Sequence, residues 1–236
     1  MNFKGIYAEK SVSVKFTLFC ILTFLSFFIF SLLSYALIPA FFESNFSELN
    51  SLLSDYNNPT SVKALKFLQF FSSVGLFVLP PLLFAYLTTF NLQFKQSIRR
   101  QRALLTLAIM LLVNPFIAYL LQWNQNLVLP EFFEGLQIWM EASELKAKQI
   151  TEAFLEMSSL GGLLVNLILI ALIPAIGEEL LFRGVLQQLL AKWTGKIYLA
   201  IFISAFLFSA IHMQFFGFLP RFVLGIILGY MFYWSK

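Results

Sequence analysis

The sequence predicts an all-α fold, a polytopic transmembrane bundle of about six spans. Three observations predict it. Of the 236 residues, 59% are hydrophobic and only 12% are charged, whereas soluble globular proteins carry roughly 25% charged residues. The mean hydropathy is +0.81. The apolar residues also gather into runs that approach the roughly 20 residues needed to cross a bilayer as a helix. Too little polar side chain remains to cover a surface facing water on all sides, so the natural solvent is lipid. The same composition excludes a disordered chain. A disulfide framework is excluded because Cys20 is the single cysteine. The net charge of +4 comes without an aromatic-interleaved basic stripe, so no nucleic-acid partner is expected.

The runs lie at roughly 16–38, 65–90, 103–122, 159–191, 197–217 and 219–235. The first is too long for the 7–15-residue apolar core of a cleaved signal peptide and reads as a signal anchor. The second contains Pro80-Pro81, which remove backbone donors and should kink the helix or divide it into two halves. The sixth is short for a span.

Lysine and arginine orient the spans, because cytoplasmic loops hold an excess of them. One side collects Lys4, Lys10, Lys15, Lys95, Arg99, Arg100, Arg102, Lys192, Lys196 and Lys236; the other has Lys63, Lys66, Lys146, Lys148 and Arg221. The expectation is a multi-pass protein of the cell membrane with a cytoplasmic amino terminus.

Residues 1–158 are expected to supply the amino-terminal spanning helices, and residues 159–236 the helices that carry chemistry, the two forming one structural unit. Within the first region, 123–158 is the one sizeable polar segment and falls on the non-cytoplasmic side. Leu136, Met140, Ala147, Ile150, Phe154 and Met157 recur on one helical face, and Glu144 and Lys148 form an i,i+4 pair on another. Such a helix either lies on the membrane or on neighbouring spans, or covers a site as a lid.

Ionisable residues inside a spanning segment cost about 2.5–3.5 kcal/mol each on insertion scales and point to function by default. Three of them, Glu178, Glu179 and Arg183, fall within one apolar run. On a helix Glu179 and Arg183 sit at i,i+4 and form an ion pair, while Glu178 points about 100° away around the axis. The pair can be structural. That role does not account for Glu178, whose carboxylate suits a group that takes and returns a proton.

The chain's only histidine, His212, ends the run Phe208-Ser209-Ala210-Ile211-His212. Taken alone, such a histidine is more often a packed residue than a catalyst. Spans four and five, however, are joined by a short turn at 192–196 and form a hairpin. At ~1.5 Å per residue, Glu178 lies about 21 Å from one side of that turn and His212 about 24 Å from the other. Similar depth makes a water-activating couple plausible, with the carboxylate as base and the imidazole orienting water or shuttling the proton.

These motifs resemble those of the CPBP intramembrane proteases, the CAAX prenyl endopeptidase and bacteriocin-processing (Abi) family. Glu178-Glu179-x-x-x-Arg183 matches the EExxxR motif, Phe208-x-x-x-His212 the FxxxH motif, and Phe222-x-x-Gly225 resembles a weaker third one. The resemblance covers about 159–236. It implies an all-helical membrane core in which Glu178 is the catalytic acid/base, His212 its partner and Glu179 with Arg183 the supporting pair. The implied reaction is hydrolysis of a peptide bond in a protein or peptide substrate. The family's fourth motif, a second His followed four positions on by Asn or Asp, has no counterpart before Lys236. The chain is therefore expected to be incomplete at its carboxyl end and, as it stands, catalytically incomplete. A zinc or other divalent metal would have Glu178 and His212 as its candidate ligands, although zinc normally takes three protein ligands; a metal-free mechanism fits these residue types equally well. Two alternatives stand beside the protease: a non-catalytic relative with an immunity or scaffold role, and a small proton-coupled transporter.

Overall fold

The computed structural model describes residues 3–93, 100–157 and 159–235. Lys95, Arg99 and Lys236, which enter the charge asymmetry, lie outside the described residues. The described residues form helices and no strand. In order these are α1 (Val12–Phe42), α2 (Leu49–Ser54), α3 (Pro59–Thr88), α4 (Arg100–Gln125), α5 (Glu134–Leu155), α6 (Leu160–Thr194), α7 (Ile197–Ala210) and α8 (Phe218–Trp234).

Among the described residues, five helical stretches are long and apolar enough to cross a membrane: α1, α3, α4, α6, and α8 with its leading turn from Phe215. Many large apolar side chains on these helices are exposed, among them Phe24 at 73% and Leu112 at 79%. In water that surface would be costly; in a bilayer it faces lipid. The sequence leads one to expect a sixth span over 197–217, but α7 has only 14 residues. The chain leaves the helix after Ala210 and Met213 takes a left-handed conformation, φ +52°. Apolar composition continues through this turn, so hydropathy alone does not mark it.

The chain forms two compact units, each discontinuous in sequence: Met1–Leu92 with Lys148–Val185, and Gln93–Ala147 with Leu186–Lys236. In the first, α1 packs along α3 through aromatic contacts, with Phe19 edge-on to Phe84 at 5.4 Å and Phe42 edge-on to Phe67 at 5.8 Å. Ile38, Leu49 and Ala64 form a core beneath Phe42 and Phe67. The amino-terminal segment is tied to the end of α3 by backbone bonds from the Gly5 N–H to the Tyr86 carbonyl and from the Tyr7 N–H to the Leu87 carbonyl.

The expected division of α3 at Pro80-Pro81 does not occur: the helix passes through a π turn over Val74–Val78 and continues to Thr88. The N–H of Leu79 reaches back five residues to the Val74 carbonyl. One wide turn re-registers the ladder just ahead of the two residues that cannot donate. The device recurs in α6, where a π turn over Leu167–Leu172 precedes Pro174 and the Ile173 N–H bonds to the Ile168 carbonyl.

The second unit holds α4, the first part of α5, the end of α6, α7 and α8. Gly195, with φ +68°, closes α6 by donating its N–H to the Ala191 carbonyl, and α7 packs back against the last turns of α6. Helices α7 and α8 meet along a seam of small residues. A Cβ on Gly225 would lie 3.0 Å from the Ala205 Cβ, and one on Gly229 would lie 2.8 Å from a methyl of Ile201. Phe222 stands edge-on to Phe202 at 5.1 Å. The third motif, Phe222-x-x-Gly225, thus lies on this packing seam.

Helix α5 occupies much of the expected polar segment. Met140, Ala147 and Ile150 are half-buried and Phe154 is buried, while Leu136 and Met157 are exposed. Met157 lies beyond the helix end at Leu155, where the periodicity stops. Lys148 takes Glu152 as its partner, at 3.9 Å, rather than Glu144; both side chains are well exposed, so the pair adds little to stability.

Candidate active site

Glu178, Glu179 and Arg183 lie in the first unit, His212 in the second. Glu178 is the last residue of the α-helical stretch Ile173–Glu178, and Glu179 opens a π-helical stretch that runs to Leu186. A regular α-helix through this motif, as the sequence suggests, is therefore not what forms. π turns recur at functional positions in helices because they re-aim side chains without ending the helix.

The Glu179–Arg183 pair is present: Arg183 Nη1 lies 3.0 Å from Glu179 Oε1. The two ends differ in environment, the guanidinium side chain being 2% exposed and the carboxylate side chain 41%. Leu180, Leu181, Phe182 and Val185 around Arg183 are all buried. A cation enclosed this way is held by its carboxylate, and removing either charge is far more disruptive than the pair is stabilising. Glu178 is half-buried.

Gly177 fixes where Glu178 stands. It is buried, and a Cβ there would lie 2.6 Å from the Phe77 Cβ and 3.2 Å from Val78 Cγ2. The π turn of α3 therefore packs directly against the α6 backbone next to the carboxylate. The same turn meets α1 at Gly75, where a Cβ would lie 2.6 Å from the Phe30 Cβ. Small residues let spanning helices approach this closely.

His212 sits in the turn beyond α7, correcting the expectation that its motif lies wholly within a helix. Its Nδ1 is 2.8 Å from the Phe208 carbonyl oxygen, and the two rings stand edge to face at 5.2 Å. A carbonyl only accepts, so the proton resides on Nδ1, and in the neutral imidazole Nε2 is the basic nitrogen. The spacing of the FxxxH motif is thus the spacing of this hydrogen bond and ring contact.

The turn after His212 is held by residues that no motif marks. Buried Asn124, near the end of α4, donates from Nδ2 to the Phe215 carbonyl at 2.9 Å and accepts at Oδ1 from the Leu219 N–H at 3.1 Å. The Ser209 hydroxyl donates to the Phe218 carbonyl at 2.6 Å, and Arg221 Nη2 donates to Gln214 Oε1 at 2.5 Å. Trp139 of α5 rests on Phe215 at 5.3 Å. No sequence signal singles out Asn124, because α4 also carries Asn114, Gln122 and Gln125. Gln187 and Gln188 are also buried; Gln187 Nε2 donates to the Gly229 carbonyl at 3.1 Å, and the Gln93 amide donates to Gln188 Oε1 at 2.9 Å.

Residues 160–236 match the family model described as type II CAAX prenyl endopeptidase Rce1-like. No curated protein and no solved structure matches the chain. The Rce1-like segment comprises α6, α7 and α8 and includes all four residues singled out from the sequence. The match spans about the last third of the chain. Among the described residues, no group of three or more His, Cys, Asp and Glu lies together in an arrangement that holds a metal ion. A three-ligand zinc centre therefore does not fit the donor set that these residues assemble.

Proposed function

We propose that this chain is an intramembrane endopeptidase of the CAAX type, acting on a protein or peptide substrate. The observation that carries the reading is the Rce1-like match over 160–236, the segment that contains Glu178, Glu179, Arg183 and His212. Glu178 is the general base. It takes a proton from water as the water oxygen attacks the scissile carbonyl carbon, and returns that proton to the amine as the C–N bond breaks. His212, with its Nδ1 proton committed to the Phe208 carbonyl, offers Nε2 as the acceptor that orients water or relays the proton. Glu179 and Arg183 support the site by holding the helix that carries Glu178. No step is routed through a metal.

We further propose that it is a protein of the cell membrane with its amino terminus and the 192–196 turn on the cytoplasmic side; the lysine and arginine distribution supports that orientation.

The test compares the chain, extended by whatever its gene encodes beyond Lys236, with the same protein carrying Glu178→Gln in proteoliposomes, with cleavage products of co-reconstituted membrane proteins mapped by mass spectrometry. Loss of a general base is expected to lower the cleavage rate by about a hundred- to ten-thousandfold with insertion unchanged. Equal cleavage by both proteins would remove Glu178 from the reaction. Cleavage by neither would favour the non-catalytic reading, in which the fold persists as an immunity or scaffold protein.

A further inference from the structure

A second polar feature lies away from the motif residues, where α3 and α6 begin. Residues 56 and 57, the first turns of α3, the end of α5 and the start of α6 line an open hollow of about 740 Å³. That volume is in the range of small-molecule sites, roughly 300–1,000 Å³. Lys63 and Lys66, one helical turn apart, line one wall, and Glu156 lines the opposite segment. An adjoining hollow continues past Glu156 to Asp55 and Glu152. Val62, Leu155 and Met157 supply apolar lining.

The charges are arranged but not spent on each other. Lys66 stands over the Phe154 ring, 5.6 Å from its centre. Among the described residues, neither Lys63 nor Lys66 has a carboxylate within ion-pair distance, and Glu156 has no cation there; Glu152 is taken by Lys148. The 153–157 wall is pinned by buried Asn166, whose Nδ2 donates to the Phe154 carbonyl at 2.5 Å and touches Met157 Sδ at 3.2 Å. The two lysines thus offer positive charge to an anionic group entering the hollow, and Glu156 offers negative charge to a cationic one.

We infer that this cavity binds the headgroup of a zwitterionic phospholipid with a primary amine, a phosphatidylethanolamine, its phosphate on Lys63 and Lys66 and its ammonium on Glu156. Position argues for lipid. The cavity lies where two membrane-spanning helices start, which is headgroup level, and Leu160 and Leu164, both exposed on α6 just beyond it, offer a track for an acyl chain. Charge order argues for this headgroup. A phosphatidylglycerol leaves Glu156 facing no cation, and the quaternary ammonium of a phosphatidylcholine donates no hydrogen bond to it.

The experiment is native mass spectrometry of the full chain in nonionic detergent, titrated separately with dioleoyl phosphatidylethanolamine, phosphatidylglycerol and phosphatidylcholine. Phosphatidylethanolamine is expected to be retained best. Lys63→Gln and Lys66→Gln should each weaken retention of it and of phosphatidylglycerol by about fivefold, the worth of one interfacial cation, while Lys63→Arg and Lys66→Arg keep it. Glu156→Gln should erase the advantage of phosphatidylethanolamine over phosphatidylglycerol. Inorganic phosphate and free phosphoethanolamine at the same concentrations should displace none of the lipid. Equal retention by the parent and the glutamine variants would overturn the inference. So would a headgroup preference unchanged in Glu156→Gln, displacement by inorganic phosphate, or a co-purifying peptide in place of lipid. The site and its readout are independent of proteolysis, so a failed cleavage assay leaves this inference standing or falling on its own.

Discussion

Gly177→Ala isolates the contact that places Glu178. The new Cβ would stand 2.6 Å from the Phe77 Cβ and 3.2 Å from Val78 Cγ2, where carbon atoms prefer about 3.5–4.0 Å. The overlap is thus about 1 Å, and both Cβ atoms are bonded directly to backbone, so no rotamer change relieves it. The α6 helix must move off the π turn of α3. Overpacking of this kind costs about 1–3 kcal/mol, and a rigid Cβ–Cβ clash belongs at the upper end. Against it, alanine gains about 0.8–1.0 kcal/mol over glycine in helix propensity. The net expectation is a loss of about 2 kcal/mol, measured by unfolding the full chain in mixed micelles with increasing sodium dodecyl sulfate. Gly161→Ala is the control on the same helix, because a Cβ there meets nothing within 4 Å. Phe77→Ala keeps the offending Cβ and should not rescue Gly177→Ala. Phe77→Gly removes it and should recover part of the loss, giving a coupling above the roughly 0.5 kcal/mol seen between independent sites. Gly177→Ala as stable as Gly161→Ala, or equal rescue by both Phe77 variants, would refute the reasoning.

Three further outcomes follow from the same structure. Glu179→Gln takes the carboxylate from a guanidinium that is 2% exposed and should destabilise the chain by about 1–3 kcal/mol in the same micelle titration, more than Glu178→Gln does. Asn124→Ala removes both the donor to Phe215 and the acceptor for Leu219 and should accelerate amide exchange over 215–219 by an amount worth about 1–3 kcal/mol; Asn124→Asp keeps the acceptor and should show a smaller effect. Single cysteines at 192–196 in a Cys20→Ser background should resist an impermeant thiol reagent on intact cells, and cysteines in α5 should react; the reverse pattern would invert the orientation.

The helical class and five of the six expected spans were determined by the sequence itself, because in lipid a long apolar run can satisfy its backbone only as a helix. Local spacing was equally decisive. Glu179 and Arg183 are four residues apart, as are Phe208 and His212, and each pair meets within its own segment. What the tertiary structure decided depends on partners distant in the chain. The π turns of α3 and α6 exist where the ladder must be re-registered ahead of Pro80 and Pro174 while Gly75 and Gly177 keep neighbouring helices in contact. The end of α7 at Ala210 lies inside continuous apolar sequence; the turn that follows is secured by Asn124, more than eighty residues upstream. Of the three boundaries between the units, one falls in the polar segment between α3 and α4 and the other two fall inside α5 and α6, because compactness is set by which faces pack together, and hydropathy along a spanning helix is nearly the same on every face.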